Sequence, residues 1–151
     1  MDLIQHLRLA TPADHDAIVG LVNAAYGKYV ERIGKKPGPM LQDYNRVLAE
    51  NTVYVLEVGG EISGLLVLQP EPDHLWLDNI AVAPNAQGHG YGKQLMQFTE
   101  AFARERDLNE IRLLTNETMV ENIAMYKRWG FIETERREDY GYRRVFMRKL
   151  L

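Results

Sequence analysis

The stretch NAQGHGYGKQL (residues 85–95) carries glycine at three alternate positions, Gly88, Gly90 and Gly92. Glycine loses more conformational freedom on folding than any other residue, so a run of this kind is costly unless the bare backbone has a task. The preceding segment HLWLDNIAV (74–82) predicts a mostly apolar central strand, and KQLMQFTEAFARERD (93–107) predicts an amphipathic helix. A glycine loop between a strand and a helix is typical of an anion site, because free N–H groups and the positive end of the helix dipole converge there.

Two common phosphate-binding patterns do not fit this loop. The P-loop requires serine or threonine after its Gly-Lys pair, but Gln94 follows Gly92 and Lys93. The dinucleotide pattern G-x-G-x-x-G begins at Gly88 and Gly90 but meets Lys93 where its third glycine should be. That motif also belongs near the start of a parallel βαβ fold, and here the loop follows an apparent antiparallel hairpin.

The pattern that does fit is Gln87-x-x-Gly90-x-Gly92. On these residues the sequence resembles the GNAT superfamily of N-acetyltransferases, which carries [Q/R]-x-x-G-x-[G/A] between its fourth strand and third helix and binds the pyrophosphate of acetyl-coenzyme A there. The likeness covers essentially the whole chain, through three further segments: LRLATPADHDAI (7–18), ENIAMYKRWGF (121–131) and RVFMRKL (144–150). It implies an acetyl-CoA-dependent N-acetyltransferase. The alternative is a non-catalytic module on the same fold that binds or senses acyl-CoA.

The resemblance implies three groups of residues that contact the coenzyme. The strand backbone of Ile80, Ala81 and Val82 would pair with pantetheine and polarise the thioester. Asn122 would meet the pantetheine arm, although many relatives have a longer gap between this asparagine and the tyrosine that follows it. The loop and the start of the helix would hold the pyrophosphate, through Gln87, Gly88, His89, Gly90, Tyr91, Gly92 and Lys93.

Acetyl transfer to an amine needs a proton for the departing thiolate, and Tyr126 is the predicted general acid. Its phenol is protonated near neutral pH, and the resemblance places it where the family carries a thiolate-protonating tyrosine. Asn122 lies four residues earlier, so both side chains share one helical face. The other interpretation of Tyr126 is a core aromatic that packs beside Ile123 and Trp129.

A general base is also needed, because only about one free alkylamine in a thousand is neutral at pH 7. Asp78 is the first candidate, acting directly or through water, since a carboxylate at the centre of a sheet needs a reason. Strand alternation predicts that it shares a face with Ile80 and Val82. An ion pair with an arginine is the other interpretation of Asp78. His74 has a suitable pKa for a base but stands at a strand start, where an exposed histidine is the simpler interpretation.

The resemblance places the acceptor site in the first two helices, their connection and the last hairpin, here residues 26–44 and 137–144. The candidate acceptor residues are Tyr26, Tyr29, Arg32, Met40 and Tyr44. Aromatic side chains with a few acids would suit a small amine, whereas Arg32 and Lys35 would suit an amino-acid-like acceptor that carries a carboxylate. The sequence does not choose between these two classes.

Hydrophobic periodicity and turn residues predict the elements that position these groups. Strands are predicted at 3–10, 52–58, 61–69, 74–82, 110–116, 131–137 and 142–150. Helices are predicted at 12–30, 41–50, 93–107 and 118–129, the last with Thr118 and Glu121 as a capping box and Gly130 as its end. The order βααβββαβαββ predicts an α/β fold, GNAT-like, with about four helices around a mixed, mostly antiparallel sheet in one domain of residues 1–151.

Composition excludes several other classes of function. The formal net charge of −3 gives no global attraction to nucleic acid or to an anionic membrane. The chain has no cysteine, which excludes thiolate metal sites and a cysteine acyl-enzyme and so favours direct transfer. The four histidines lack paired spacing, so no metal site is expected. Without an apparent signal peptide or an apolar run of membrane-spanning length, we expect a cytoplasmic protein. The exposed edge of the final hairpin leaves a homodimer open.

Overall fold

A seven-stranded sheet forms the middle layer of the protein in the computed structural model, which describes residues 6–151. The strands are, in chain order, β1 (Leu7–Leu9), β2 (Thr52–Val58), β3 (Glu61–Pro70), β4 (Leu75–Val82), β5 (Glu110–Asn116), β6 (Ile132–Asp139) and β7 (Tyr142–Leu150). Their spatial order is β1-β2-β3-β4-β5-β7-β6. Every neighbouring pair is antiparallel except β4 and β5, so the predicted mixed, mostly antiparallel sheet is confirmed. Part of the strand predicted at 3–10 lies outside the described residues.

The described residues form five α-helices, one more than the sequence predicts. They are α1 (His15–Tyr26), α2 (Tyr29–Ile33), α3 (Tyr44–Glu50), α4 (Tyr91–Glu105) and α5 (Val120–Arg128). The single helix predicted at 12–30 is wrong in two places. Residues Pro12–Asp14 form a 3-10 turn before α1. Helix α1 then ends at Tyr26, because Gly27, a residue of low helix propensity, follows it as the C-cap, and α2 begins at Tyr29.

The predicted capping box at the start of α5 is also wrong. Met119 occupies the N-cap position, and the hydroxyl of Thr118 donates instead to Oδ1 of Asn116 at 2.8 Å. Glu121 points away from the cap, because its carboxylate accepts from Nη1 of Arg32 at 2.7 Å. The pairing is tertiary, between α2 and α5, and a local sequence pattern does not contain it. Gly130, with φ of 97°, follows the helix as predicted.

Two apolar layers cover the two faces of the sheet. Residues Leu66 and Leu68 of β3 pack against α4 and α5, and Leu65 and Val67 pack against α1 and α3. Because β3 is buried on both faces, its sequence is an unbroken apolar run instead of an alternating one. Helix α4 buries the face predicted for it, namely Leu95, Met96, Thr99, Phe102 and Ala103, with Phe98 partly buried.

Gly64 of β3 sits where the sheet meets α4 at close range. A Cβ added there would lie 3.0 Å from Cβ of Leu56 and 3.4 Å from Cδ1 of Leu95. We expect Gly64→Ala to lower the free energy of unfolding by about 1–3 kcal/mol through overpacking. Gly20→Ala, in an exposed part of α1 with open space around it, should instead raise that free energy by about 0.5–1 kcal/mol. Chemical denaturation of both variants is the measurement, and a shift of the same sign in both would contradict this account of the packing.

The start of α1 depends on the buried carboxylate of Asp14. It accepts from Nη1 of Arg8 at 2.8 Å and from the backbone N–H of Thr11 at 2.8 Å. The hydrogen bond from Arg8 is the main cause that lowers the pKa of Asp14 to about 2. An unfolded aspartate titrates near 3.9, so the folded state gains stability from the ionised form above about pH 4. That gain is lost as the pH falls towards 2.

We therefore expect Asp14→Asn to lower the free energy of unfolding by roughly 1–2 kcal/mol at pH 7, a value discounted for the partly exposed arginine. The difference from the unmodified protein should shrink as the pH falls below about 4, because the carboxylate then begins to be protonated in the unfolded state. Urea denaturation at pH 7 and pH 3 measures both values. An equal difference at the two pH values would rule out the ion pair as its source.

Candidate active site

Strands β4 and β5 separate soon after they begin. They pair only at Leu75 with Ile111 and at Trp76 with Arg112. Beyond that point β4 stays paired to β3 as far as Val82, and β5 stays paired to β7 as far as Asn116. The separation opens a wedge between the two central strands and leaves one backbone edge of each without a strand partner.

A β-bulge at Asp78 lies at the start of this wedge. Val67 pairs with Asn79 and Leu68 pairs with Leu77, so Asp78 is the extra residue. The bulge reverses the alternation of β4: Leu77 and Ile80 both pack against the core under α4 and α5, while Ala81 packs under α1 and α3. The prediction that Asp78 shares a face with Ile80 and Val82 is therefore wrong. Asp78 lies on the α3 face, beside Gln42 and Arg46.

A cavity of about 150 Å³, which we call the central cavity, fills the wedge. Its walls come from β4, β5, β7, α5, the end of α1 and the segment before α3. Residues with polar or aromatic side chains dominate its lining, including Trp76, Asp78, Asn79, Thr115, Asn116, Asn122, Tyr126, Tyr142 and Arg144. Nε1 of Trp76 donates to Oδ1 of Asp78 at 3.3 Å, which fixes one oxygen of that carboxylate and leaves the other for a ligand or water.

The glycine loop forms a second depression, the loop groove, at the start of α4. Gly88 and Gly90 have φ of 85° and 79°, a region that other residues rarely adopt, and Gly90 is the N-cap. Within residues 6–151, none of the six backbone N–H groups of 88–93 has an acceptor. Gln87 braces the loop, because its Nε2 donates to the carbonyl of Val82 at 3.2 Å. Amides without acceptors at a helix N-terminus are the arrangement that favours an anion.

The charge of the loop groove contrasts with that of the whole chain. Its lining includes Lys28, Lys93 and Arg128, and no carboxylate among the described residues lines it. The chain as a whole carries a net charge of −3. The three cations therefore concentrate positive potential in a groove of about 370 Å³, as an elongated polyanion requires.

The central cavity and the loop groove meet. Three residues line both, namely Tyr26, Ile80 and Asn122. A molecule that extends along the groove from the glycine loop would thus bring its far end to the cavity. The amide of Asn122 has only a weak contact, 3.8 Å from Nδ2 to the sulfur of Met119, so it can still bind a ligand at this junction.

Tyr126 both packs in the core and lines the central cavity. Its ring makes edge contacts with Trp129 and Phe131, and its side chain is only 7% exposed. Its hydroxyl has no hydrogen-bond partner within residues 6–151. Burial raises the pKa of Tyr126 well above its usual range, so the phenol stays protonated at neutral pH. Both interpretations from the sequence, core aromatic and proton donor, are compatible with this placement.

A buried hydrogen-bonded chain lies behind the junction. The hydroxyl of Tyr26 donates to Oδ1 of Asn79 at 2.7 Å, and Nδ2 of Asn79 donates to the hydroxyl of Tyr44 at 3.4 Å. Tyr44 in turn donates to the carbonyl of Pro39 at 2.7 Å. Burial, and then the nearby Tyr126, raises the pKa of Tyr26, so this phenol also stays neutral. The chain connects α1, β4, α3 and the segment that closes the central cavity.

The structure separates the five residues predicted for the acceptor. Tyr26 lines both the central cavity and the loop groove, whereas Tyr29 lines the loop groove alone. Tyr44 and Met40 pack in the core under α1 and α3 and line neither space. Arg32 also lines neither, because its guanidinium binds Glu121 of α5 and so ties α2 to α5. Arg32 also lowers the pKa of Glu121, which keeps that carboxylate charged.

The histidines named in the sequence lie outside both spaces. Nδ1 of His74 lies 2.7 Å from Oδ1 of Asp73, within hydrogen-bond distance. His74 comes directly before β4, near the point where β4 and β5 are still paired. His89 is exposed and, with Tyr91, lines a separate depression near Val58 and Gly59. Among residues 6–151, no group of three or more histidine, aspartate and glutamate side chains is placed to hold a metal ion. No helix in the same range is both long and apolar enough to cross a membrane.

Trp76 and Asn79 were missed by the sequence analysis, whereas Tyr142 and Arg144 lie in the predicted acceptor stretch 137–144 but were not singled out within it. Trp76 and Asn79 carry a local signal, since both interrupt an apolar strand with a hydrogen-bonding side chain. Tyr142 and Arg144 carry none, because an aromatic and an arginine in a terminal hairpin are ordinary surface residues until the sheet places β7 beside β5.

Comparison with known proteins agrees with this geometry. The model of the Acetyltransferase (GNAT) family matches residues 16–131. An alignment 92 positions long is 28% identical to N-acetyltransferase family 8 member 2 of Rattus norvegicus, and it covers 57% of this chain and only 41% of that protein.

Two solved structures have the same fold over almost the whole chain. A GNAT family acetyltransferase from Elizabethkingia anophelis with acetyl-CoA bound has a TM-score of 0.69 and 20% identity, and the match covers 96% of this chain and 97% of that one. The PaiA N-acetyltransferase of Thermoplasma acidophilum, in complex with coenzyme A, has a TM-score of 0.80 and 14% identity, and covers 96% and 98%. The family match over most of the sequence, the shared fold and the glycine loop after a separated β4 lead to one conclusion: this chain belongs to the GNAT family of acetyltransferases.

Proposed function

We propose that the protein transfers the acetyl group of acetyl-CoA directly to the amine of a small molecule. One observation carries this proposal: a cationic groove with unbonded amides leads into a polar cavity, and the two meet at Tyr26, Ile80 and Asn122. A cofactor and an acceptor held in these two spaces would meet at that junction. The chain has no cysteine to carry an acetyl group, which favours attack by the amine itself.

The loop groove would hold the coenzyme. The N–H groups of residues 88–93 would bind its pyrophosphate, with Lys28, Lys93 and Arg128 adding positive charge. The free edge of β4 at Ile80 to Val82 would pair with the pantetheine arm, in place of the strand partner that β5 no longer provides. A donor on that edge could bind the thioester oxygen as it becomes charged.

Asp78 is the proposed base for the acceptor. One oxygen of its carboxylate accepts from Trp76, and the side chain lines both the central cavity and the outer depression beside α3. A proton taken from the ammonium group of the acceptor, directly or through a water molecule, could therefore leave towards solvent. The amine would then attack in its neutral form.

Tyr126 is the proposed acid. Its phenol lines the cavity, has no hydrogen-bond partner within residues 6–151, and is kept protonated by burial. It would give its proton to the sulfur of the departing coenzyme. Because the pKa of Tyr126 is raised, no loss of rate from its ionisation is expected between pH 7 and about pH 10.

The coenzyme assignment is tested by Gly90→Glu. A side chain and a negative charge at the N-cap of α4 should exclude a pyrophosphate, and we expect the dissociation constant for acetyl-CoA to rise at least about tenfold. Isothermal titration calorimetry measures it. Gly34→Glu is the matched control, since Gly34 has φ of 85°, has open space around it, and lines neither the groove nor the cavity. Equal weakening in both variants, or no binding by the folded unmodified protein, would refute the coenzyme site.

The acid is tested by Tyr126→Phe. We expect turnover to fall about tenfold or more while acetyl-CoA binding stays the same, because only the proton donor is removed. Tyr140→Phe is the control, since Tyr140 is exposed in the turn between β6 and β7. Steady-state kinetics with the best amine from a screen provides the rates. Unchanged turnover in Tyr126→Phe would remove this residue from the mechanism, and absence of turnover with every amine would favour an acyl-CoA-binding module instead.

A further inference from the structure

Two opposite charges line the central cavity without pairing with each other. Asp78 and Arg144 both contribute to its walls, but no ion pair joins them. Asp78 is held by Trp76, and Arg144 is held by Asp139 at 2.9 Å. A cavity of about 150 Å³ that presents a carboxylate and a guanidinium is complementary to a small ligand with charges of both signs.

The sheet places the two charges on the same face. Val145 and Met147 of β7 are buried in the core under α4 and α5, so strand alternation directs Arg144 to the opposite face. Asp78 lies on that face too, because of the bulge. Since β5 lies between β4 and β7, the backbones that carry the two charges are at least two strand spacings apart, about 10 Å.

Only part of the hydrogen-bonding capacity of the Arg144 guanidinium is used. Asp139 accepts from Nη1 only, and neither Nε nor Nη2 of Arg144 is hydrogen bonded to any residue in 6–151. These two groups form the side of a guanidinium that binds a carboxylate through two parallel hydrogen bonds. Nη2 lies 3.8 Å from the position that a Cβ on Gly38 would occupy, so the missing side chain leaves space beside it.

The surroundings keep Arg144 oriented. Its side chain is 19% exposed, and its guanidinium lies 5.4 Å from the centre of the Tyr142 ring. Asp139 also lies 3.6 Å from Arg137, but Arg137 pairs more closely with Glu135, at 3.1 Å, so Arg144 is the main partner of Asp139. The hydroxyl of Tyr142 is used elsewhere, as it donates to the carbonyl of Lys36 at 2.6 Å.

We infer that the acceptor is an amino-acid-like molecule, with the reacting amine at the junction near Ile80 and a carboxylate bound by Nε and Nη2 of Arg144. This inference rests on the proposed acetyltransferase function. It assigns the selection of the acceptor to Arg144 in place of Arg32 and Lys35. Arg32 already pairs with Glu121, and Lys35 already donates a hydrogen bond to the carbonyl of Gly141.

The test compares matched acceptors: a panel of free amino acids, their carboxamides and the corresponding decarboxylated amines, with thiol release from acetyl-CoA as the readout. We expect kcat/KM for the free acids to exceed that for the carboxamides by at least about tenfold in the unmodified protein, through KM. Arg144→Gln should abolish this preference, by lowering kcat/KM for the free acids to the level of the carboxamides, while acetyl-CoA affinity stays unchanged. Arg144→Lys, which keeps the charge but not the planar fork, should retain only part of it.

Arg137→Gln is the matched control. Arg137 pairs with the same Asp139 but does not line the cavity, so its loss should leave the preference intact. Carboxamides used as well as free acids, or a preference that persists in Arg144→Gln, would overturn the inference while the proposed function stands. Absence of amine-dependent thiol release with every acceptor, in protein that still binds acetyl-CoA, would refute the proposed function and this inference with it.

Discussion

The separation of β4 from β5 after two residue pairs is the constraint on which the rest of the site depends. Parallel strands normally continue their ladder, because an unpaired backbone group that is buried costs free energy. Here the ladder stops at Trp76, although both strands continue for several residues. This leaves the edge of β4 at Ile80 to Val82 without a strand partner, and in the proposed function a bound molecule in the wedge would take that place.

The bulge at Asp78 and the hydrogen-bonded chain from Tyr26 to Pro39 stabilise this open arrangement. The bulge turns Asn79 towards α1 and α3, where its amide oxygen accepts from Tyr26 and its amide nitrogen donates to Tyr44. Without the bulge, Asn79 would face the core under α4 and α5, and the polar chain would lose its centre. The bulge at the start of the wedge therefore also helps to fix the segment before α3 that closes the cavity.

The sequence predicts the features that depend on local pattern. The hairpin of β2 and β3, the amphipathic α4 and the strand β5 follow from periodicity and turn residues, and β5 has the predicted bounds. The glycine loop is also local, since its spacing and neighbours define an anion site. Two of the predictions that fail depend on tertiary contacts or on strand pairing, namely the cap of α5 and the face of Asp78. Arg144 lies in the predicted acceptor stretch 137–144, but its place in the cavity depends on the position of β7 next to β5.

The distribution of charge explains how one acidic chain can hold two differently charged ligands side by side. The loop groove is lined by cations alone within the described residues, which suits a coenzyme with several phosphates. The central cavity has one charge of each sign, so a second polyanion gains little there and a zwitterion gains most. Tyr26, Ile80 and Asn122 between them are uncharged, and the raised pKa of Tyr26 keeps its phenol neutral. In the proposed reaction, a neutral junction would let an amine approach the thioester without being held as an ammonium ion, while the charges at either end would orient the two molecules.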